Sequence, residues 1–518
     1  MPDRPSKART GGLPWPPAVR LWLWCLILGG FGCHLVGVAG DWPQYRGPNH
    51  DGTSTDLILT EWPSAGPVEI WRRPLTNGFS SFAVSQGLAC TLETRTNAEG
   101  PQEVCLALNA QTGAELWAVN LGPAVYGPTS EEGDGPRSTP SIDNGRVFVL
   151  SAYLKLSCLN LTNGHVVWSR DFMQEFGATS IQWQSAASPL VDDDLIFLNC
   201  NTTNGNFFAL RKSDGQVVWR TGTDPSTHST PVPATLHGVR QIIFYTESGL
   251  TSLAATNGSV LWTYPFPFNY MSAAMSPVIW NDIVYCSATG APGAGAVRIT
   301  RDGDAFTATE LWRKPGQLKN VWSTPVCLDG FLYGFFELDG ISARTLRCVN
   351  LETGDVLWSQ TGFSSGGILL VDGRLLILNE TGELVLAVPG PFAYFELARA
   401  QILSGICWNV PAVSDSCIYA RSTTEAVCVN LAVETPSLVQ SLERLSDGCL
   451  WLHISLSDGT PIDSTRFARI AVCASTNLLT PLDGWSSITN TLALTNGVIQ
   501  VNLELQERER YFITKEQP

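Results

Sequence analysis

The residue types best suited to chemistry are cysteine, histidine and the acids, and their spacing argues against most of the chemistry they could do. Twelve of the fourteen cysteines lie beyond Gly40, yet no C-x-x-C pair, no C-x-x-C-H haem signature and no H-E-x-x-H motif occurs. No metal site and no catalytic residue is therefore assigned. His228 has no serine, carboxylate or cysteine placed beside it by sequence, so it is not assigned as a base. Cys90 and Cys105 flank the turn-like Asn97-Ala98-Glu99-Gly100 and form a candidate cross-hairpin pair that geometry must decide. What remains is a set of polar and aromatic residues at recurring loop positions: Arg137, Gln182, Trp183, His228, Tyr270, Asn320, Trp322, Trp408 and Asn409. Converging groups of this kind bind ligands. The bland alternative is that each merely decorates the end of a structural unit.

Those positions recur because the chain repeats. The phrase apolar-x-Leu-Asn-x-x-Thr/Asn-Gly-x-x-x-Trp returns with variations, ending at Trp117, Trp168, Trp219, Trp262, Trp312 and Trp358, at intervals of 51, 51, 43, 50 and 46 residues. The copy before Trp312 is degenerate. Each period also carries an upstream strand pair introduced by a Ser/Thr-Pro element, at Ser138-Thr139-Pro140, Ser188-Pro189, Ser229-Thr230-Pro231, Ser276-Pro277 and Ser323-Thr324-Pro325. Thr-Gly or Asn-Gly supplies the positive-φ position of a tight hairpin, and Asn109, Asn160 and Asn350 can bond the loop backbone. Cys158, Cys348 and Cys428 stand where other copies have Ala107, Ala209 or Ser252, as small core residues do.

Four short antiparallel strands per ~40–50 residues is the content of a propeller blade. The spacing predicts an all-β chain with an eight-bladed β-propeller over residues 68–432. The seventh unit begins at Gly366-Gly367 and lacks its tryptophan. The eighth, from Val410-Pro411 to Leu431, has three strands, and its fourth is expected from Val68-Glu69-Ile70-Trp71, which would leave the ring no open edge. The repeat tryptophans, Trp71 included, are read as packing residues between blades. The proposed binding residues then fall on the loops entering each innermost strand, around one funnel.

This phrase resembles the pyrroloquinoline-quinone-like (PQQ-like) repeat, shared by quinoprotein alcohol dehydrogenases and BamB-like propellers, over about residues 41–432. The opening Asp41-Trp42-Pro43-Gln44-Tyr45-Arg46-Gly47-Pro48 is similar to the start of many exported bacterial proteins of this class. The enzymatic members hold the quinone beside a calcium ion and stack a disulfide of adjacent cysteines on it. This chain has no Cys-Cys pair and no assignable set of calcium ligands or haem site, and Glu175 and Asp224 are lone acids. The reading is thus a non-catalytic scaffold, without cofactor, for a protein, peptide or glycan. The alternative is a PQQ- and calcium-dependent dehydrogenase oxidising an alcohol or sugar.

The flanks differ in kind. Residues 1–40 carry Arg4, Lys7, Arg9 and Arg20 before the apolar run Leu21 to Leu28 and end in Val38-Ala39-Gly40, the layout of a signal peptide. Gly29, Gly30, Gly32, Cys33 and His34 interrupt the run, which disfavours a retained membrane anchor. Cys33 is a candidate for lipid attachment, although Gly30-Phe31-Gly32 lacks the usual aliphatic lead. Residues 41–67 read as an N-terminal arm. The leader carries four of the 32 basic side chains and one of the 47 acids, so the mature chain has a formal charge of −18. Nucleic acid is a poor partner for such a surface. An exported, periplasmic or extracellular monomer is expected. After a linker over 433–446, alternation at Leu450, Leu452, Ile454 and Leu456, with strands near 467–474, 485–489, 499–505 and 510–514, predicts a C-terminal β-sandwich over 447–518.

Overall fold

The structure is a computed structural model that describes residues 40–126, 135–268, 273–320, 322–338, 341–433, 438–444, 450–457, 459–475, 486–487, 492–503 and 511–516. The expected leader, Cys33 and Tyr270 lie outside the described residues. The chain divides into two compact units, with the break between Ala432 and Val433. No helix among the described residues is long and apolar enough to cross a membrane.

Within the first unit, the described residues form eight antiparallel sheets, spanning 83–123, 141–171, 190–221, 232–265, 278–314, 326–360, 366–401 and 412–430, here blades 1 to 8. Each blade runs from a short inner strand outward in chain order. Blade 8 contributes three strands and takes its outer one from Val68–Pro74, which lies antiparallel on Glu425–Asn430 with Trp71 opposite Cys428. Apolar clusters fill the space between successive blades. One joins blades 7, 8 and 1 through Leu386, Ile418 and Leu108, so the ring closes.

The tryptophans and glycines of the repeat act as a pair. On each tryptophan-bearing blade the Trp stands opposite a small residue of the neighbouring strand, as in Ala107 with Trp117, Cys158 with Trp168 and Cys348 with Trp358. Its ring crosses to the next blade and lies on that blade's turn glycine: a Cβ on Gly113, Gly164 or Gly215 would come within 2.8 Å of Trp71, Trp117 or Trp168. Its Nε1–H donates to a carbonyl of the same turn, Trp71 to Ala110 at 2.8 Å and Trp117 to Leu161 at 2.8 Å. Trp262 departs from the pattern. The hairpin of blade 5 is long, Gly293–Asp302 and Ala305–Lys314, so its turn lies elsewhere and Trp262 donates to Gln241 of its own blade at 2.8 Å. Blade 7 swaps sizes, setting Ala398 opposite Leu386 where the others set Trp opposite a small residue. The asparagines bond their loops as expected, Asn109 Oδ1 accepting from the Gln111 and Thr112 amides.

The N-terminal arm does more than lead into the ring. It runs along the innermost strands, pairing Trp42 with Val84, taking the Ile142 amide on Pro43 and laying Thr53–Ser54 parallel on the inner strand of blade 7. Arg46 is buried at φ 63° and donates to the carbonyls of Thr324 and Pro325 at 3.0 and 2.9 Å, fastening the arm to blade 6. Trp42 is 1% exposed, and Gly47 is held against its ring where a Cβ would approach to 2.7 Å.

Three expectations change. Cys90 stands opposite Ala107 and Cys105 opposite Leu92, diagonal rather than facing, and both are free buried thiols, burial pushing Cys90 up to about 12. The second unit starts earlier than its apolar alternation suggested: Leu438–Arg444, within the expected linker, pairs antiparallel with Leu450–Leu456, because Leu438 and Leu442 continue the same alternation. The described residues of that unit form a four-stranded and a three-stranded sheet around Leu452, Ile454, Ile470, Val472, Ile499 and Val501. Phe467, expected in a strand, ends the helical turn Ser464–Phe467.

Candidate functional site

The Ser/Thr-Pro elements build a collar at the inner ends of the blades. The Ser81 amide donates to Thr139 Oγ1 at 3.1 Å, the Thr139 amide to Ser188 Oγ at 2.9 Å and the Ser188 amide to Thr230 Oγ1 at 2.9 Å. Ser276 Oγ donates to the Thr230 carbonyl, and the Ser276 amide to Thr324 Oγ1 at 3.0 Å. Each hydroxyl precedes a proline, which fixes φ and has no N–H of its own to satisfy. The collar thus ties blade to blade where strands are shortest.

Three residues before each proline, or before Phe82 and Ile368 in the two blades that lack it, lies one position that faces the funnel loops. It holds Phe79, Arg137, Ala186, His228, Ala274, Trp322, Ser365 and Trp408 for blades 1 to 8. The large members touch in series. The Trp322 and Trp408 rings lie 6.0 Å apart across the small Ser365 of blade 7, and Trp408 stacks on Phe79 at 5.3 Å and 24°. The Arg137 guanidinium sits 5.6 Å from the Phe79 ring and 5.3 Å from that of Tyr126, and donates to the carbonyls of Gly135 and Trp183, each at 3.1 Å. Trp183, 44% exposed and at φ 60°, carries the series to His228 with ring centroids 6.3 Å apart.

Two buried titratable groups flank Arg137. Glu103 takes the Ala152 amide on Oε2 at 2.9 Å and leaves Oε1 without a partner, and burial pushes its carboxyl up to about 8 against the pull of Arg137. His228 is 6% exposed, and neither ring nitrogen meets a partner at hydrogen-bond geometry. Burial, and then the Arg137 charge, lowers it to about 4, opposed only by a weak approach to the Gln182 backbone.

Of the nine residues read from sequence, Arg137, Trp183, His228, Trp322 and Trp408 are joined by these contacts. Gln182 is exposed beside them. Asn320 is fully buried, its amide bridging the Phe335 carbonyl at 2.6 Å and the Tyr285 hydroxyl at 2.6 Å, so it braces blades 5 and 6. Asn409 is buried and donates to the Arg421 carbonyl at 3.2 Å. Sequence reasoning missed Phe79, Tyr126 and Glu103. The offset from Ser80-Ser81-Phe82 would have found Phe79; nothing in the repeat marks Glu103, which comes from the hairpin strand Gly100–Asn109.

The residues present do not fit a quinone held beside calcium. Trp322, Trp408 and Phe79 pack in series, and among the described residues the one carboxylate bonded to these rings, Glu380, accepts from Trp408 Nε1 at 3.1 Å. No group of three or more His, Cys, Asp or Glu side chains suited to an ion occurs among the described residues. Glu175 is paired with Arg170, and Asp224 accepts from Thr251.

Fold and site define an eight-bladed, strand-closed β-propeller whose funnel carries an aromatic and polar series. A family profile described as outer membrane protein assembly factor BamB matches residues 101–360, half of the chain, and the chain belongs to this PQQ-like repeat family. It is 20% identical over 322 residues to the outer membrane protein assembly factor BamB of Yersinia pestis, covering 62% of this chain and 67% of that one. Among solved structures it is similar to BamB from Moraxella catarrhalis, with TM-score 0.50, 14% identity and coverage of 70% and 99%. It is also similar to the quinohemoprotein alcohol dehydrogenase of Comamonas testosteroni, with TM-score 0.51, 13% identity and coverage of 78% and 83%. At these identities the two structures speak for the fold alone.

Proposed function

We propose that this chain is an exported, non-catalytic propeller that binds a protein, peptide or glycan in its funnel and needs no cofactor to do so. The observation that carries the reading is the continuous series Trp322, Trp408, Phe79, Arg137, Trp183 and His228, set by one register position of the blades. Such a surface recognises a ligand without supplying a reaction, since His228 has neither a nucleophile nor an orienting carboxylate within hydrogen-bond reach. Similarity to relatives named as outer membrane protein assembly factors favours binding over catalysis.

Reconstitution of the full mature chain with pyrroloquinoline quinone and calcium, followed by desalting, absorbance and a dye-linked alcohol oxidation assay, tests this reading. The expected result is no stoichiometric quinone. Retained quinone with turnover would replace the scaffold by a dehydrogenase.

A further inference from the structure

We propose that the funnel is a saccharide site, in which Trp183 takes the apolar face of a sugar ring and the buried polar atoms of Ser138, His228 and Glu103 take its hydroxyls. The inference rests on the reading that the funnel binds a ligand, and adds the ligand's class.

The first ground is a set of hydrogen-bonding atoms without partners. Ser138 Oγ, both ring nitrogens of His228 and Glu103 Oε1 have none, on side chains that are 1%, 6% and 1% exposed. Buried polar atoms are ordinarily paired, and exceptions gathered at one place call for a reason. Ser138 follows Arg137 in the chain, the charge of Arg137 reaches both Glu103 and His228, and Trp183, whose carbonyl Arg137 holds, lies beside the His228 ring, so all three belong to the neighbourhood of Arg137. Sugar hydroxyls donate and accept alike, which matches a mixed set of a hydroxyl, an imidazole and a carboxyl.

The second ground is charge. Arg137 is enclosed by the Phe79 and Tyr126 rings and spends its NH1 on two carbonyls. Burial keeps His228 neutral and Glu103 largely protonated near neutral pH. Neither group then brings a charge of its own to the ligand, so a neutral hydroxylated ligand can pair with both without leaving a further charge buried.

The third ground is shape and selectivity. Trp183 is an exposed indole held through its own carbonyl by Arg137. A flat aromatic face beside polar groups suits the apolar face of a pyranose. An apolar peptide side chain would leave the same buried atoms unpaired, and sites built to hydrogen-bond reject ligands that cannot.

Fluorescently labelled full-length mature chain, applied to an array carrying both glycans and peptides, tests the inference, with hits titrated by calorimetry. We expect saccharide features to be retained, and Trp183→Ala and His228→Phe each to weaken the best hit at least tenfold. Phe392→Ala, at a residue 95% exposed outside the funnel, should leave it unchanged. Thermal melts check that each variant is folded, and Trp183→Ala at the surface remains informative if His228→Phe is not. Absence of any retained saccharide, or a saccharide hit that both funnel variants bind as tightly as the parent, overturns the inference. Retention of peptides alone overturns the saccharide class while keeping the scaffold, which only quinone retention with turnover removes.

Discussion

Gly145 and Gly164 lie in the same blade at φ 70° and 71°, yet a Cβ would meet open space at the first and Trp117 at 2.8 Å at the second. Substituting alanine costs the left-handed strain of about 1–2 kcal/mol at both. Only Gly164→Ala adds overpacking, about 1–3 kcal/mol. Denaturant midpoints of the two variants should therefore differ by that second amount, with Gly164→Ala the less stable, and equal midpoints would mean the tryptophan does not hold the turn. The funnel groups predict a pH dependence of opposite signs. Glu103 has a folded value raised from 4.5 to about 8, so its contribution is present below the unfolded value and is lost as pH rises toward 8, at about 1.4 kcal/mol per pH unit for one proton. Glu103→Gln, which keeps an acceptor for the Ala152 amide, should flatten that decline between pH 5 and 8. His228 has a folded value lowered from 6.5 to about 4, so its contribution is present above 6.5 and is lost as pH falls toward 4. His228→Phe should remove that acid-side loss, read from urea midpoints across pH 4 to 7.

At the level of elements, the blades were legible because their turns and tryptophans recur, and the N-terminal outer strand was legible because blade 8 was one strand short. The arm along the innermost strands was not. Its fastening depends on Arg46 reaching carbonyls of Thr324 and Pro325, some 278 residues away, and no periodicity carries such a contact. The funnel was half legible for the same reason: the offset from each blade's proline locates Arg137, His228, Trp322 and Trp408, but only burial and bonding show that Asn320 and Asn409 serve the scaffold and that Glu103 is enclosed. The strand Leu438–Arg444 was hidden by the polar Glu434-Thr435-Pro436-Ser437 before it. Because the arm and the outer strand of blade 8 are one continuous segment, they make separable predictions. Starting the chain at Leu59 removes the arm's hold on blades 1, 2, 6, 7 and 8 and should lower the melting temperature while the protein stays monomeric. Starting it after Pro74 also bares the edge of Glu425–Asn430, and should yield oligomers by light scattering, since an unpaired edge templates another chain.

For the molecule as a whole, stability depends on the seam where the ring's two ends meet. Arg421 of blade 8 is fully buried there and donates to the carbonyls of Leu92, Thr76 and Ser422, tying the last blade to the first and to the chain that leaves the N-terminal strand. Burial lowers its guanidinium to about 10, opposed by Glu93, so it stays charged through neutral pH and its bonds are charge-assisted. Arg421→Met keeps much of the bulk but strands the buried carbonyls of Leu92 and Ser422, a loss of about 1–3 kcal/mol for each that finds no other partner, and frees that of the exposed Thr76 to water. A propeller closed by one strand has no independent blade to fall back on, because every blade buries its faces against two neighbours. The seam's weakening should therefore lower the midpoint of the entire propeller in one step rather than release blade 8 alone. The second unit has its own core of Leu452, Ile454, Val472 and Ile499, and its transition should not move. Scanning calorimetry of the parent and of Arg421→Met separates the cases: a single shifted propeller transition supports closure as the shared source of stability, whereas a new low-temperature step with the main transition unmoved would show that blade 8 unfolds on its own and that the other seven need no seal.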